Sequence, residues 1–390
     1  MSEDRCLLLS PEAPYPIRTG GAMRTAALLE YLRQRYTVDA IFFAQPGETD
    51  PRERMPSGCV AQSITIRLPF HGRGFWERAR RNAGRWARGV PPLNDRFGGF
   101  GREIEGFARE RRWSLGVVEH SWCAGYADIL RPHCGRLVLN LHNVESELHA
   151  RCAKTEPAAT RWLHRRFAHE ARVLETALLP RYDLVLATSE RDRDLARALA
   201  PGSTVESYPN TVPARRIPAS EKRMQIVFSG NLEYHPNRSG VAWFAREVWP
   251  TVRGRFPDCE WVLVGRNPEA VRTLVEGERV RLTGEVEDAM AEIAPSMVAV
   301  APLLSGSGTR IKILEAWSAG VPVVSTPVGA EGLPSGGVLL AEKSGDFTDA
   351  ISRLLDSAAL RAEVGETGRL IFNQKFTWQA GWAVLESLRV

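Results

Sequence analysis

The sequence predicts an α/β protein made of two doubly wound domains. Three observations carry that prediction. Short apolar runs alternate with helix-period stretches from Cys6 to about Ala200. The same rhythm restarts at Gln225 and continues to Ser325. Between them lies VESYPNTVPARRIPAS, which has three prolines and no apolar period, as an inter-domain linker does. At 390 residues the chain is long enough for two cores. The expected division is 1–206, a linker at 207–222, a second domain at 223–372 and a last helix, 373–390, packing back towards the first domain.

In order, residues 6–10 read as a buried first strand. A loop with Pro11, Pro14 and Pro16 leads to Thr19-Gly20-Gly21 and a helical stretch over 22–35. Gly20 and Gly21 do not form G-x-G-x-x-G, so the dinucleotide fingerprint is absent and an NAD-dependent dehydrogenase is disfavoured. The pair would let a ligand approach the backbone, with Arg24 as an anion contact. A tight turn needing positive φ is the other reading. Strands follow at 38–43 and 63–68.

Residues 70–113 mix many arginines with Phe75, Trp76, Trp86, Phe97, Phe100 and Phe107, and predict two amphipathic helices, 76–88 and 102–112. Basic residues among aromatics suit peripheral contact with an anionic membrane or capture of an anionic acceptor. A solvated basic face over a core stripe has the same pattern. Strands at 115–119 and 136–141 each release a histidine at the carboxyl end, His120 and His142. Ligands of open α/β sheets bind there, which makes both candidate catalytic residues. A helical region over 146–178, a strand at 183–189 and a helix at 190–200 complete the first half.

In the second half, strands are expected at 225–229, 260–264, 280–282, 298–301 and 321–325, with helices at 239–256, 269–275 and 287–293. The densest stretch is SGSGTRIKILEAWSAGVPVVS, from Ser305. A helix start near Thr309 offers free N–H groups and a partial positive charge. Gly306, Ser307, Gly308 and Thr309 would supply loop donors, and Arg310 and Lys312 would grip a diphosphate. Glu315, three residues after Lys312, shares its face and would bind ribose hydroxyls. A surface Lys–Glu pair on an amphipathic helix is the plainer alternative.

Composition sets bounds. Hydrophobic residues make up 44% and charged residues 25%, an ordinary globular balance. The net charge of +5 is too small to argue for nucleic acid. Six cysteines lack C-x-x-C spacing and read as reduced thiols of a cytoplasmic protein. No D-x-D or other metal-ligand cluster is evident, so no metal and no cofactor is expected. No apolar run reaches a membrane span, and the acidic start lacks the features of a signal peptide.

Several pieces together resemble the retaining glycosyltransferases of family 4: PYP-x-R-T-GG, LHNVES, YPNTV, FSGNLEYHPN, RLTGEVED, VAPLLSGSGTRIKILEAWSAGVPVVST and GAEGL. The local match is to sugar transferases of exopolysaccharide assembly. The resemblance implies the GT-B fold, two Rossmann-like domains facing a central cleft, with the donor in the second and the acceptor in the first. It implies a UDP- or GDP-sugar donor and a glycan or lipid-linked acceptor in surface polysaccharide assembly; the arginine–aromatic segment favours a membrane-bound acceptor, which would be met at the inner face of the membrane. By position, Glu315 matches the second glutamate of the family's Glu, seven residues, Glu signature, while the first falls on Ser307. Gly230 and Asn231 match the donor loop after the domain's first strand, and His120 and His142 match acceptor-half histidines. A non-catalytic relative and a nucleotide-sugar epimerase are the alternatives.

Overall fold

The protein is described by a computed structural model that covers residues 4–17, 19–72, 74–155, 158–215, 220–275, 277, 279–305 and 311–390. It divides into two compact units, Met1–Pro209 with Trp382–Val390, and Asn210–Gly381.

The first unit holds a seven-stranded sheet: β1 Arg5–Ser10, β2 Thr37–Ala44, β3 Gln62–Arg67, β4 Trp113–Glu119, β5 Cys134–Asn140, β6 Leu184–Ala187 and β7 Val205–Ser207. Their order is β3-β2-β1-β4-β5-β6-β7, and every pair is parallel. A parallel sheet is covered on both faces, and β1 shows why its sequence is a continuous apolar run. Leu7 and Leu9 join one core cluster, Cys6 and Leu8 the opposite one, and all four are fully buried. The six cysteines are all buried as free thiols.

The helix Gly20–Leu32 begins two residues before the expected start. Thr19 caps it, its Oγ1 accepting from Ala22 N at 2.9 Å. Gly20 and Gly21 thus lie in the first helical turn and neither has positive φ, so the tight-turn reading fails. Residues 70–113 form three helices rather than two, Phe75–Arg88, Pro92–Phe97 and Gly101–Ala108. Phe97, Phe100, Phe107 and Trp113 turn into the core, while Phe70 and Trp76 stay 80% and 81% exposed. The expected 146–178 helix is two, Glu145–Thr155 and Ala158–Leu178.

The second unit has β8 Arg223–Ser229, β9 Glu260–Val264, β10 Val280–Gly284, β11 Ser296–Ala301, β12 Val323–Ser325 and β13 Val338–Leu340, in the order β10-β9-β8-β11-β12-β13, all parallel. Two strands go beyond the sequence reading. β7 uses Val205–Ser207, where the linker composition hides a three-residue edge strand, and β13 is as short. The helix expected at 269–275 is a pair of 3-10 turns, Pro268–Ala270 and Arg272–Leu274.

The last helix, Trp378–Ser387, starts in the second unit. From Trp382 onward it belongs to the first, where Trp382 Nε1–H donates to Ala27 O at 2.8 Å and Leu385 is fully buried.

Candidate functional site

Both sheets follow the 3-2-1-4-5-6 order, the first with a seventh strand added at its edge, and the order reverses direction between the first and fourth strands of each unit. Loops at the carboxyl ends diverge at that point and leave a crevice. In the first unit the crevice lies beyond β1 and β4, and in the second beyond β8 and β11. Among the described residues singled out by sequence, Gly21, His120 and His142 meet at the first place, and Gly230, Lys312 and Glu315 at the second.

In the first unit, β4 ends in Glu119 and β5 in Asn140, both fully buried. Asn140 Nδ2 donates to both Glu119 oxygens at 3.1 Å, and His142 Nε2 lies 2.6 Å from Glu119 Oε2. Burial holds the His142 imidazole well below its ordinary pKa, so the neutral ring donates Nε2–H and keeps a lone pair on Nδ1, a tautomer assigned from this hydrogen bond. Burial likewise raises the Glu119 carboxyl, opposed first by the Asn140 bond.

His120 follows β4 with φ 64°, a conformation that costs a non-glycine residue about 1–3 kcal/mol. Its ring stacks on His142 with centroids 3.5 Å apart and on Trp122 at 4.1 Å. Desolvation, then the neighbouring His142, keep it neutral. Its buried Nε2 has no hydrogen-bond partner among the described residues.

Gly21 completes this corner. A Cβ there would stand 2.8 Å from Glu12 Oε1, 3.5 Å from His142 Nδ1 and 3.7 Å from His120 Nε2. Glycine leaves that space to three polar atoms. Arg24, expected as an anion contact, instead makes its contacts within the unit. It is buried, with Nε and Nη2 donating to Asn140 Oδ1 at 3.0 and 2.6 Å and Nη1 to Tyr208 O at 2.7 Å, over the Tyr208 ring. Burial lowers its pKa to about 10. The guanidinium is spent inside the unit, where it holds the end of β5.

In the second unit, β8 ends in Ser229 and turns at Gly230, φ 144°. Lys312 and Glu315, on the helix Ile311–Ser318, both reach this turn. Lys312 Nζ donates to Asn237 Oδ1 at 2.7 Å and sits 4.1 Å over the Phe228 ring, and Glu315 Oε2 accepts from Ser229 Oγ at 3.2 Å. Burial raises the Glu315 carboxyl, opposed by the Ser229 bond and the Lys312 charge. Asn231 is tied into its loop, its backbone O accepting from Asn237 Nδ2 at 2.7 Å and its Oδ1 from Asn267 Nδ2 at 3.0 Å. Gly306, Ser307, Gly308, Thr309 and Arg310 lie outside the described residues.

Sequence reasoning missed Glu12, Glu119, Trp122, Asn140, Ser229 and Asn237. Glu119 and Asn140 did carry a signal, a polar residue closing an otherwise apolar run. Glu12 carried none, because only the fold sets it beside Gly21. Among the described residues no group of three or more His, Cys, Asp or Glu could hold a metal ion. No helix among them is long and apolar enough to cross a membrane.

Residues 223–357 match the family model of glycosyl transferases group 1. A Klebsiella pneumoniae protein described as an uncharacterized 44.6 kDa protein in the cps region is 27% identical over 116 residues, 27% of this chain and 30% of that one. The match therefore spans less than a third of that relative. Among solved structures, sucrose-phosphate synthase from Thermosynechococcus elongatus superimposes with a TM-score of 0.73 at 18% identity, covering 99% of this chain and 98% of the other. Anabaena HepE in complex with UDP and glucose gives 0.69 at 14% identity, over 98% and 99%. An S. aureus TarM mutant in complex with Fondaparinux, alpha-GlcNAc-glycerol and UDP gives 0.69 at 10% identity, over 99% of each chain. The chain therefore has the GT-B fold, and its second unit carries the match to the glycosyl transferases group 1 family.

Proposed function

We propose that this chain is a retaining glycosyltransferase that moves a sugar from a nucleotide sugar to a glycan acceptor in surface polysaccharide assembly. The observation that carries the reading is the convergence of Lys312 and Glu315 on the turn at Ser229-Gly230, inside the segment that matches the family. A cation fixed there by Asn237 and the Phe228 ring suits a diphosphate, and a carboxylate beside it suits ribose hydroxyls. HepE carries UDP and glucose at a comparable fold, which favours UDP over GDP.

In the reaction, the bond from the anomeric carbon to the diphosphate oxygen breaks and a bond to the acceptor oxygen forms. The acceptor proton passes to the departing diphosphate oxygen, so the sugar keeps its configuration and no side chain need act as base. Lys312 opposes the charge that grows on the leaving group, the term that usually dominates. His120 and His142 are neutral. They act as hydrogen-bonding groups that hold sugar hydroxyls through Nε2 and Nδ1. Gly306 to Arg310 would add donors to the diphosphate. A lipid-linked acceptor fits the exposed Phe70 and Trp76 among the arginines of 70–113, a segment suited to an anionic membrane from the cytoplasmic side.

The test is thermal unfolding with UDP, UDP-glucose and GDP, followed by transfer assays with the sugar that binds. A ligand that binds only the folded state raises Tm. UDP should raise it in the wild type and not in Lys312→Ala. Equal shifts in both proteins, or no shift with any nucleotide, would end this assignment.

A further inference from the structure

The His120 imidazole is the third ring of a stack. Phe97 and Trp122 lie with centroids 5.7 Å apart and planes 7° apart, Trp122 and His120 at 4.1 Å and 15°, His120 and His142 at 3.5 Å and 24°. At the far end His142 is fixed by Glu119. Nothing among the described residues hydrogen-bonds His120 Nε2. The plane of that ring is therefore set by its two stacked neighbours, His142 and Trp122.

Trp122 is anchored in turn. Its Nε1–H donates to Glu145 Oε1 at 3.2 Å. Glu145 opens the helix Glu145–Thr155, and a carboxylate from the neighbouring helix holds that helix start. Glu175 Oε1 accepts the backbone N–H of Glu145 at 2.7 Å and of Ser146 at 3.4 Å. Asn94, Ser121, Glu145 and Glu175, from four different elements, help line a cavity of about 10 Å³. That is room for one water between carboxylates otherwise withdrawn from solvent.

A buried carboxylate that accepts an indole N–H is an expensive way to fill a core. An apolar residue of similar size would fill it with no desolvation penalty. We propose that Trp122 and Glu145 are positioning residues. Glu145 fixes the indole, and the indole face fixes the plane and tilt of His120, so that Nε2 is presented at the Gly21 corner without a hydrogen bond of its own. The role at the sugar rests on the function proposed above, but the positioning of the ring does not.

The test separates the two. Long-range ¹H–¹⁵N spectra of histidine-labelled protein report the ring nitrogens and tautomer of His120 directly, with no substrate present. Glu145→Leu removes the acceptor, Glu145→Gln keeps an acceptor oxygen, and Trp122→Phe keeps the stack but loses the donor. The expected result is displaced or broadened His120 signals in Glu145→Leu and Trp122→Phe, and near-native signals in Glu145→Gln. With UDP-glucose as donor, kcat should fall about tenfold in the first two and recover in the third, while UDP affinity is unchanged in all. Should Glu145→Leu fail to fold, Trp122→Phe answers the same question. Native His120 signals in Trp122→Phe and in any folded Glu145→Leu protein would overturn the proposal. Displaced signals in a wild-type background that turns over no nucleotide sugar would leave the positioning intact and sink the function instead.

Discussion

Glu175→Gln should flatten the dependence of stability on pH. Burial, which outweighs its hydrogen bonds to Ser146 and Glu145, raises the Glu175 carboxyl from 4.5 to about 7. A folded-state pKa above the unfolded one means the native chain binds the proton more tightly. The associated stability is full below pH 4.5 and is lost as pH rises through 7. At about 1.36 kcal/mol per pH unit, a rise from 4.5 to about 7 corresponds to about 3 kcal/mol, most of it lost between pH 5 and 8. Glutamine cannot ionise, and its carbonyl can still accept the N–H groups of Glu145 and Ser146. The Glu145 carboxyl, also raised to about 7 by burial and then by the Glu175 charge, should move down in the variant and flatten the profile further. The buried histidines give the opposite slope, equal in both proteins, since their lowered pKa values withdraw stability as pH falls. Urea unfolding at pH 5, 6, 7 and 8, followed by far-UV circular dichroism, measures the difference. Wild type and variant should agree at pH 5, with the variant more stable by about 2 kcal/mol or more at pH 8. Parallel profiles would refute the idea that this carboxylate is ionised at a cost.

Three further outcomes are expected. Lys312→Ala and Glu315→Ala should each lower kcat/KM by about 10²-fold, the loss of one charge-assisted contact, with near-native unfolding curves; near-wild-type turnover in both removes them from the site. Gly265→Ala should destabilise the second unit by about 3 kcal/mol or more, because φ is 143° and the new Cβ would stand 1.9 Å from Gly230 O; chemical denaturation reads this, and a loss under about 1 kcal/mol contradicts the geometry. Gly21→Ala should place a methyl among Glu12, His120 and His142, so His120 and His142 ring signals should shift and turnover should drop about tenfold or more while UDP still raises Tm; unchanged turnover would show the corner is not used.

The alternation of apolar runs and helical periods made most of the fold legible, because a parallel strand buried on both faces is apolar throughout. Cys6 to Leu9 could be read without any partner in view. What failed was short or locally weak. Val205–Ser207 sits among prolines, and three residues carry no period. Pro268 lies just before the stretch, 269–275, where a helix was expected, and only 3-10 turns form. At the candidate site, His120, His142, Lys312 and Glu315 were singled out because strand ends and helix starts are places where such chemistry collects. Arg24 was misjudged because a guanidinium near a glycine turn looks like an anion ligand until Asn140 and Tyr208, 116 and 184 residues away, are seen to enclose it. Trp122 and Glu145 gave no signal, since a stack and its anchor are assembled from separate elements.

The first unit closes with residues made long after the rest of it. Ala27 and Tyr31 receive Trp382 and the Val390 carbonyl, and Leu385 and Val390 finish the core that Cys6 and Leu8 begin. During synthesis that face must wait, partly bare, until the whole second unit has left the ribosome. A fragment ending at Pro209 should accordingly expose greasy surface and cling to chaperones, and a peptide spanning 378–390 added in trans should relieve it.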